Sequence, residues 1–437
     1  MIIEDASILL GKELTFVNQG FIEISNNGTI IKAGAGRYSN HTDIEKRKEI
    51  DRNNRRINAE GFLVTPGFIN AHTHIGDSIG KDVGVASGLD TRVHPIFGIK
   101  RSILKNSTPE SLMSFMRNSA ISMMKKGITA FADFREGGEY GIQLLRYATS
   151  DLPIKCVILG RIEYYFEPKK MKVKTSRRTG CVVQKKGNLT KSFSLTSQQL
   201  QNARQVLLSS DGLGLSGANE NSDESLKQYH SLVEKRINRK TLKKPLLSIH
   251  AAESKETREL SRLNTGKTEV ERIMQYLKPD FIVHMTNATE EYFRLILNNK
   301  CGIVICPRAN GVIGVGIPKV GKMLKSGCTV AIGTDNVMLN SPDMLREMDY
   351  IWKVSRATEE DLISPRKILK LATVNGAELL GLNSGYIAAG RSADLIFIDK
   401  RHIDLYPIHN AYASIIQRAT QDSIRAVMIN GKFIDEL

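Results

Sequence analysis

The chain predicts an α/β fold, a (β/α)₈ TIM barrel accompanied by a small composite β-sandwich domain drawn from both termini. Three observations carry this expectation. Eight short apolar segments recur, each followed by a longer amphipathic one. Hairpin-like segments gather at the two ends of the chain, and histidines and carboxylates gather where the apolar segments stop. The expected division is residues 1–60 and 385–437 for the β domain and 61–384 for the barrel.

The eight apolar segments, in order, begin with "LVTPGFINA" (63–71), "GITAFADF" (127–134), "PIKCVILGRIE" (153–163) and "GLGLSGANE" (212–220). They continue with "PLLSIHAAE" (245–253), "PDFIVHMTN" (279–287), "CGIVICPRAN" (301–310) and "TVAIGTDN" (329–336). Most are rich in Val, Ile, Leu and Ala with little polar alternation, as strands of a parallel sheet buried on both faces are. Between them, "SLMSFMRNSAISMMKKG" (111–127) has apolar residues at three-and-four spacing and closes on Lys-Lys-Gly, a helix stop. "ATEEYFRLILNNK" (288–300) and "IPKVGKMLKSG" (317–327) read the same way. A doubly wound open sheet shares this alternation, but eight units in a row favour the barrel.

At the N-terminus, "FIEIS", "NNG" and "TIIKAG" follow one another as strand, turn and strand. At the C-terminus, "GYIAAGRSADLIFID" leads to "IRAVMINGKFIDEL", where Asn430-Gly431 again sits between apolar runs. Neither end has enough apolar residues for a core of its own, so the two are expected to pair. The charged stretch 41–56 reads as an exposed excursion.

Composition narrows the class. Of 437 residues, 41% are apolar and 25% charged, the mix of a soluble globular protein. No apolar run approaches the roughly 18 residues of a membrane helix, and the N-terminus lacks the basic region of a secretory signal. Five scattered cysteines with no C-x-x-C pair argue against a disulfide framework or a zinc ribbon, so a reduced, cytoplasmic protein is expected. The net charge is +16, and residues 169–191 hold nine basic residues and no acidic one. That run reads as a solvated loop, or as a surface that attracts an anionic substrate or nucleic acid. No aromatic residue interleaves its charges, which disfavours nucleic acid.

Of nine histidines, His72, His74, His250 and His284 fall at or near the ends of the first, fifth and sixth apolar segments. Asp335 ends the eighth, and Glu253 follows His250 by three residues. In a barrel all C-terminal strand ends meet on one face, so these groups converge with the composition of a Zn²⁺ or Fe²⁺ site. His72 and His74 can share one metal only where the strand ends and curls, and Gly76, Ala71 and Thr73 allow that curl. His94 and His230 read as structural.

In sequence order, "PGFINAHTHIG", "SIHAAES", "FIVHMTN", "CPRAN" and "AIGTDN" resemble the strand-end motifs of the amidohydrolase superfamily. The branch is that of cytosine, guanine, adenosine-type and S-adenosylhomocysteine deaminases and the triazine hydrolases. The resemblance spans nearly the whole chain. It implies that His72, His74, His250 and Asp335 ligate the metal and that Glu253 shuttles protons. It also implies that His284 contacts the metal-bound water or the reacting group. The fourth segment carries no Lys, so the resemblance implies one metal, Zn²⁺ first and Fe²⁺ second.

The implied chemistry is hydrolytic deamination of an aminated heterocycle, nucleobase- or nucleoside-like. The metal would lower the pKa of its water from about 15.7 to about 7, and hydroxide would attack a carbon bearing nitrogen. The alternative keeps the site and changes the bond to a cyclic amide, an amidine or a ring-bound chloride of triazine type. Arg135 and Arg308 are the leading substrate contacts because a guanidinium offers a planar fork, with Asp133, Arg161 and Asn310 beside them. The expected partners are a small heterocyclic substrate, anionic in one reading, and further copies of the chain in a homo-oligomer. Neither a membrane nor nucleic acid is expected.

Overall fold

The computed structural model describes residues 1–38, 55–163, 194–236, 244–359 and 362–434. The basic stretch 169–191 and nearly all of 41–56 lie outside them. No described helix is long and apolar enough to cross a membrane.

Eight parallel strand positions form the central sheet. They are Phe68–His74, Ile128–Arg135, Lys155–Gly160, Gly212–Gly217, Leu246–Ala251, Phe281–His284, Gly302–Ile305 and a broken last one, Val330–Ile332 with Asp335–Asn336. Each pairs with the next in parallel, with register shifts between the first and second strands and between the fourth and fifth. Val330–Ile332 pairs with the seventh strand and Asp335–Asn336 with the first, so the two halves of the eighth strand join the sheet's ends. This is the TIM-barrel-like α/β domain expected from the sequence.

The continuous apolar runs follow from burial on both faces. Ala130, Ala132, Phe134, Phe281, Val283 and Ala331 pack in one core cluster. Their neighbours in sequence, Phe131, Ile282, Ile303, Val330 and Ile332, pack in another with helix residues such as Met116 and Ile351. Alternate strand residues therefore serve different cores, and neither face tolerates polar alternation.

The break in the eighth strand is built into the sequence. The Asn70 amide donates to Thr334 Oγ1 at 2.7 Å and accepts from Thr334 N at 3.0 Å, latching the break to the first strand. A Cβ on Gly333 would stand 2.7 Å from both the Cβ and the carbonyl oxygen of His72. Backbone cannot yield there, so Gly333→Ala should destabilise the fold by about 1–3 kcal/mol, readable as a lowered Tm.

The first apolar segment differs from expectation. It divides at Pro66-Gly67: Phe62–Pro66 joins a second sheet, and only Phe68–His74 enters the barrel. Pro66 has no N–H for a continuing ladder. A Cβ on Gly67 would meet Thr129 Oγ1 at 2.2 Å, so only glycine fits the crossing.

That second sheet has eight strands, drawn from both ends of the chain. Phe62–Pro66 lies between Ile2–Leu10 in parallel and Leu395–Asp399 antiparallel. The hairpin Thr15–Ile24/Ile30–Ala35 and the hairpin Ile424–Ile429/Lys432–Phe433 form as their turn residues predict. Ile3, Ile8, Ile22, Leu395, Phe397 and Met428 share one buried cluster, which neither terminus could fill alone.

Candidate active site

The site forms where the first, fifth, sixth and eighth strands end. Four residues there hold left-handed backbone that side chains rarely adopt: Ala252 (φ 50°), His284 (φ 76°), Met285 (φ 52°) and Asp335 (φ 59°). Such conformations persist only when surrounding contacts impose them, and they cluster at functional sites. Thr73 Oγ1 donates to the Asp335 carbonyl at 2.9 Å, and the Glu269 carboxylate accepts from Ala252 N.

The side chains converge. His72, His74 and His250 bring one ligand atom each within 4.8 Å of one another, and Glu253, His284 and Asp335 do the same. Nε2 of His72 and of His74 stand 3.3 and 3.6 Å from Asp335 Oδ1. The His74 and His250 rings stack at 5.5 Å, and His250 lies 5.3 Å from His284.

Hydrogen bonds choose the tautomers. His250 Nδ1 lies 2.9 Å from the carbonyls of Leu215 and Ser216, so it carries the proton and leaves the Nε2 lone pair for the cluster. His74 Nδ1 lies 3.1 Å from the Phe134 carbonyl and 2.9 Å from Glu136 Oε1, with the same consequence. His284 differs. Asn310 Nδ2 lies 3.1 Å from its Nδ1, and with the amide so oriented the proton sits on Nε2, 3.6 Å from Glu253 Oε1.

Electrostatics sharpen these roles. Burial lowers the pKa of His72 and His250, and burial with the Lys100 charge brings His74 to about 3, so all three are neutral near pH 7. Burial alone would raise Asp335, but His72, His284 and His74 outweigh it and hold the carboxylate ionised. Burial pushes Glu253 up to about 7, against the opposing pull of His284.

Three neutral imidazoles and an ionised carboxylate are the donor set of a divalent metal. His72 adds an independent sign. It is fully buried and makes no well-aligned hydrogen bond at either ring nitrogen, Nε2 facing only Asp335 Oδ1 at 3.3 Å. A buried polar group so left costs about 1–3 kcal/mol, which ligation would relieve. The residues present therefore fit the group.

The substrate contacts expected from sequence fall into two groups, Asp133, Arg135 and Arg161 around Glu136, and Arg308 with Asn310 on a separate helix. Arg161 lines the metal cavity. Arg135 is buried, paired with Glu136 at 3.1 Å and Asp133 at 3.7 Å. Asp133 Oδ1 accepts from Ile75 N at 2.6 Å and so braces the turn after His74. Asn310 is fully buried behind His284. Arg308 stands outside this cavity and pairs with Glu347 at 3.4 Å. Arg308 and Asn310 lie two apart on the helix Pro307–Val312, so they point to nearly opposite sides.

Sequence reasoning missed Lys100, read His94 as structural, and gave Glu136 only as a residue closing the second strand. Glu136 takes Lys100 Nζ at 2.5 Å and Arg161 at 3.4 Å besides His74, and Lys100, His74 and Arg135 hold it well below the usual carboxylate range despite its burial. His94, stacked on Phe97 at 3.7 Å, lines the cavity's outer wall. Neither Lys100 nor His94 stands in a segment whose pattern marks it.

Glu347, behind Arg308, gives a pH prediction. Burial, partly offset by Arg308, pushes it up to about 8. The folded chain thus keeps a proton that the unfolded chain releases above about 4.3. The stability this supplies is complete below that value and is lost as pH rises through about 8. Thermal melts should therefore fall by about 2–4 °C per kcal/mol lost between pH 6 and 9. Glu347→Gln should flatten that fall.

Residues 63–434 match the Amidohydrolase family. A protein of Methanothermobacter thermautotrophicus, provisionally named an aminohydrolase, is 36% identical over 434 residues, 99% of each chain. A 5-methylthioadenosine/S-adenosylhomocysteine deaminase of Thermococcus sibiricus is 24% identical, covering 96% of this chain and 93% of its own. A zinc-bound adenosine deaminase structure from Xanthomonas campestris superposes with a TM-score of 0.78 at 19% identity, covering 99% of this chain and 92% of that one. This chain belongs to the amidohydrolase family.

Proposed function

We propose that this chain is a metal-dependent hydrolase of non-peptide C–N bonds that deaminates an aminated heterocycle, nucleobase- or nucleoside-like. One observation carries the reading. Three neutral imidazoles and the ionised Asp335 converge at one point, and two of those imidazoles, His74 and His250, share a cavity with Asp335 and with Glu253, whose carboxyl titrates near 7. The deaminase names of the relatives support it.

His72, His74, His250 and Asp335 would hold one divalent metal, Zn²⁺ in preference to Fe²⁺. When bound, such a metal supplies water ionised near neutral pH as the nucleophile. Glu253 Oε1 would receive a proton on the water side and deliver it to the ring nitrogen or the departing amine. His284, with its proton on Nε2, would donate to the oxygen of the developing tetrahedral centre and fix its direction. The ring would sit in the metal cavity of about 120 Å³, against Arg161, Asn219 and Glu220. In this reading residues 61–384 are the catalytic barrel, and 1–60 with 385–437 form its composite β-sandwich partner. The described cysteines are free, which suits a cytoplasmic setting.

Elemental analysis of the purified chain, followed by an ammonia-release panel of purines, pyrimidines, adenosine derivatives, pterins and aminotriazines, tests this. About one Zn or Fe per chain with ammonia from one ring class is the expected result. Metal without ammonia moves the site to cyclic amides, amidines or chlorinated triazines. No metal after reconstitution overturns the reading.

A further inference from the structure

A second cavity of about 370 Å³ adjoins the metal cavity, three times its volume. The two share Val93, His94, Pro95, Lys100 and Arg161 as walls. The outer one continues away from the metal along an apolar side formed by Leu104, Leu112, Met116 and Leu144, with Tyr140 half-exposed at its rim.

The cavities carry opposite charge. The metal cavity is lined by the carboxyls of Asp90, Glu220, Glu253, Glu269 and Asp335 against Lys100 and Arg161. A divalent ion there offsets most of that excess, so the inner chamber suits an uncharged ring. The outer cavity has the reverse balance. Lys100, Arg135 and Arg161 are already grouped around Glu136. Arg101 and Lys105 remain, both exposed, on successive turns of the helix Ile99–Asn106, against the single carboxylate of Glu163. Arg101 Nη1 donates to the carbonyls of Pro95 and Ile96 at 3.3 Å, which fixes one edge of its guanidinium at the divide between the chambers.

We propose that the outer cavity is a substrate subsite, and that the physiological substrate is an amino-heterocycle with an extended substituent ending in a carboxylate or phosphate held by Arg101 and Lys105. This rests on the deaminase reading of the metal site. A small base would fill the inner chamber and leave the larger one to solvent. A substituent with an apolar middle and an anionic end matches the outer chamber along its length. The excess positive charge at the rim also draws such a substrate in, an attraction that salt weakens.

The test compares matched pairs on the metal-loaded full chain: adenosine with its 5′-monophosphate, and 5′-methylthioadenosine with S-adenosylhomocysteine. The first pair isolates phosphate and the second carboxylate. The anionic member of at least one pair should have kcat/KM tenfold or more above its neutral partner. The preference should shrink toward one in Arg101→Gln/Lys105→Gln, through a rise in KM of the anionic member. A ratio near one in the native chain, or a preference that survives the double substitution, overturns the subsite. If none of the four is deaminated, it is the deaminase reading that fails for this ring class. Calorimetric titration with the same pairs then decides separately: tighter binding of the anionic member, lost in the double variant, upholds the subsite, and equal affinities overturn it.

Discussion

Glu253→Gln should keep its metal and lose about 10²–10⁴-fold in kcat, the usual worth of a positioned acid–base group. The substitution removes little else. Gln is isosteric, and Glu253 is not one of the four donors, so metal content by elemental analysis should stay near one per chain. The backbone that presents Glu253 is fixed independently of its carboxyl. The Asn287 amide donates to the Glu253 carbonyl at 2.7 Å and to the Val315 carbonyl at 3.1 Å, and Glu269 holds the preceding Ala252 N–H. What disappears is a proton carrier that burial has brought to about 7. A group titrating near the working pH can both take and return a proton, whereas an amide can do neither. KM should move far less than kcat, because the group acts on the reaction rather than on binding. Near-normal turnover would remove Glu253 from its role.

The parts of this molecule that sequence made legible are those where local pattern and three-dimensional position coincide. Strands buried on both faces must be apolar throughout, so seven barrel strands begin within two residues of where their runs begin. Histidines at the ends of such runs share a face because the barrel brings all C-terminal ends together. The run at 63–71 misled for a physical reason. Apolar composition reports burial, not which sheet a residue bonds to, and the change of sheet at Pro66-Gly67 occurs inside one apolar stretch.

Charged residues are less legible still. Arg135 and Arg308 have the chemistry of substrate contacts, but buried acidic side chains claim both, Glu136 and Glu347 respectively. Those partners lie on neighbouring segments, and nothing in the local pattern shows which side a guanidinium turns to. The wall between the two cavities comes largely from residues 93–100, in the long connection after the first strand. Connections lack the periodicity that marks strands and helices, so Lys100 and His94 could be found only by where the chain folds back.

Asp335→Asn should reduce both metal retention and turnover, and the fold should survive it. Asparagine tolerates left-handed backbone about as well as aspartate, so φ 59° at this position is kept. The Thr73 hydroxyl bonds the main-chain carbonyl of residue 335 rather than its side chain, so that anchor stays. The loss is the charge. Asp335 Oδ1 stands 3.3 Å from His72 Nε2 and 3.6 Å from His74 Nε2, and it is the one anionic donor among the four. A neutral amide is a poorer ligand for a divalent ion and leaves the cluster without its counter-charge. Metal affinity, measured by competition with a chelator, should fall by at least the roughly 10–100-fold seen when mere supporting groups are removed. Turnover should fall further, even with metal in excess, because the amide cannot accept a proton from the nucleophile. An unchanged Tm together with a lowered metal content would separate this outcome from misfolding. Normal metal content with normal activity would displace Asp335 from the centre and leave His72, His74 and His250 in need of a different fourth donor.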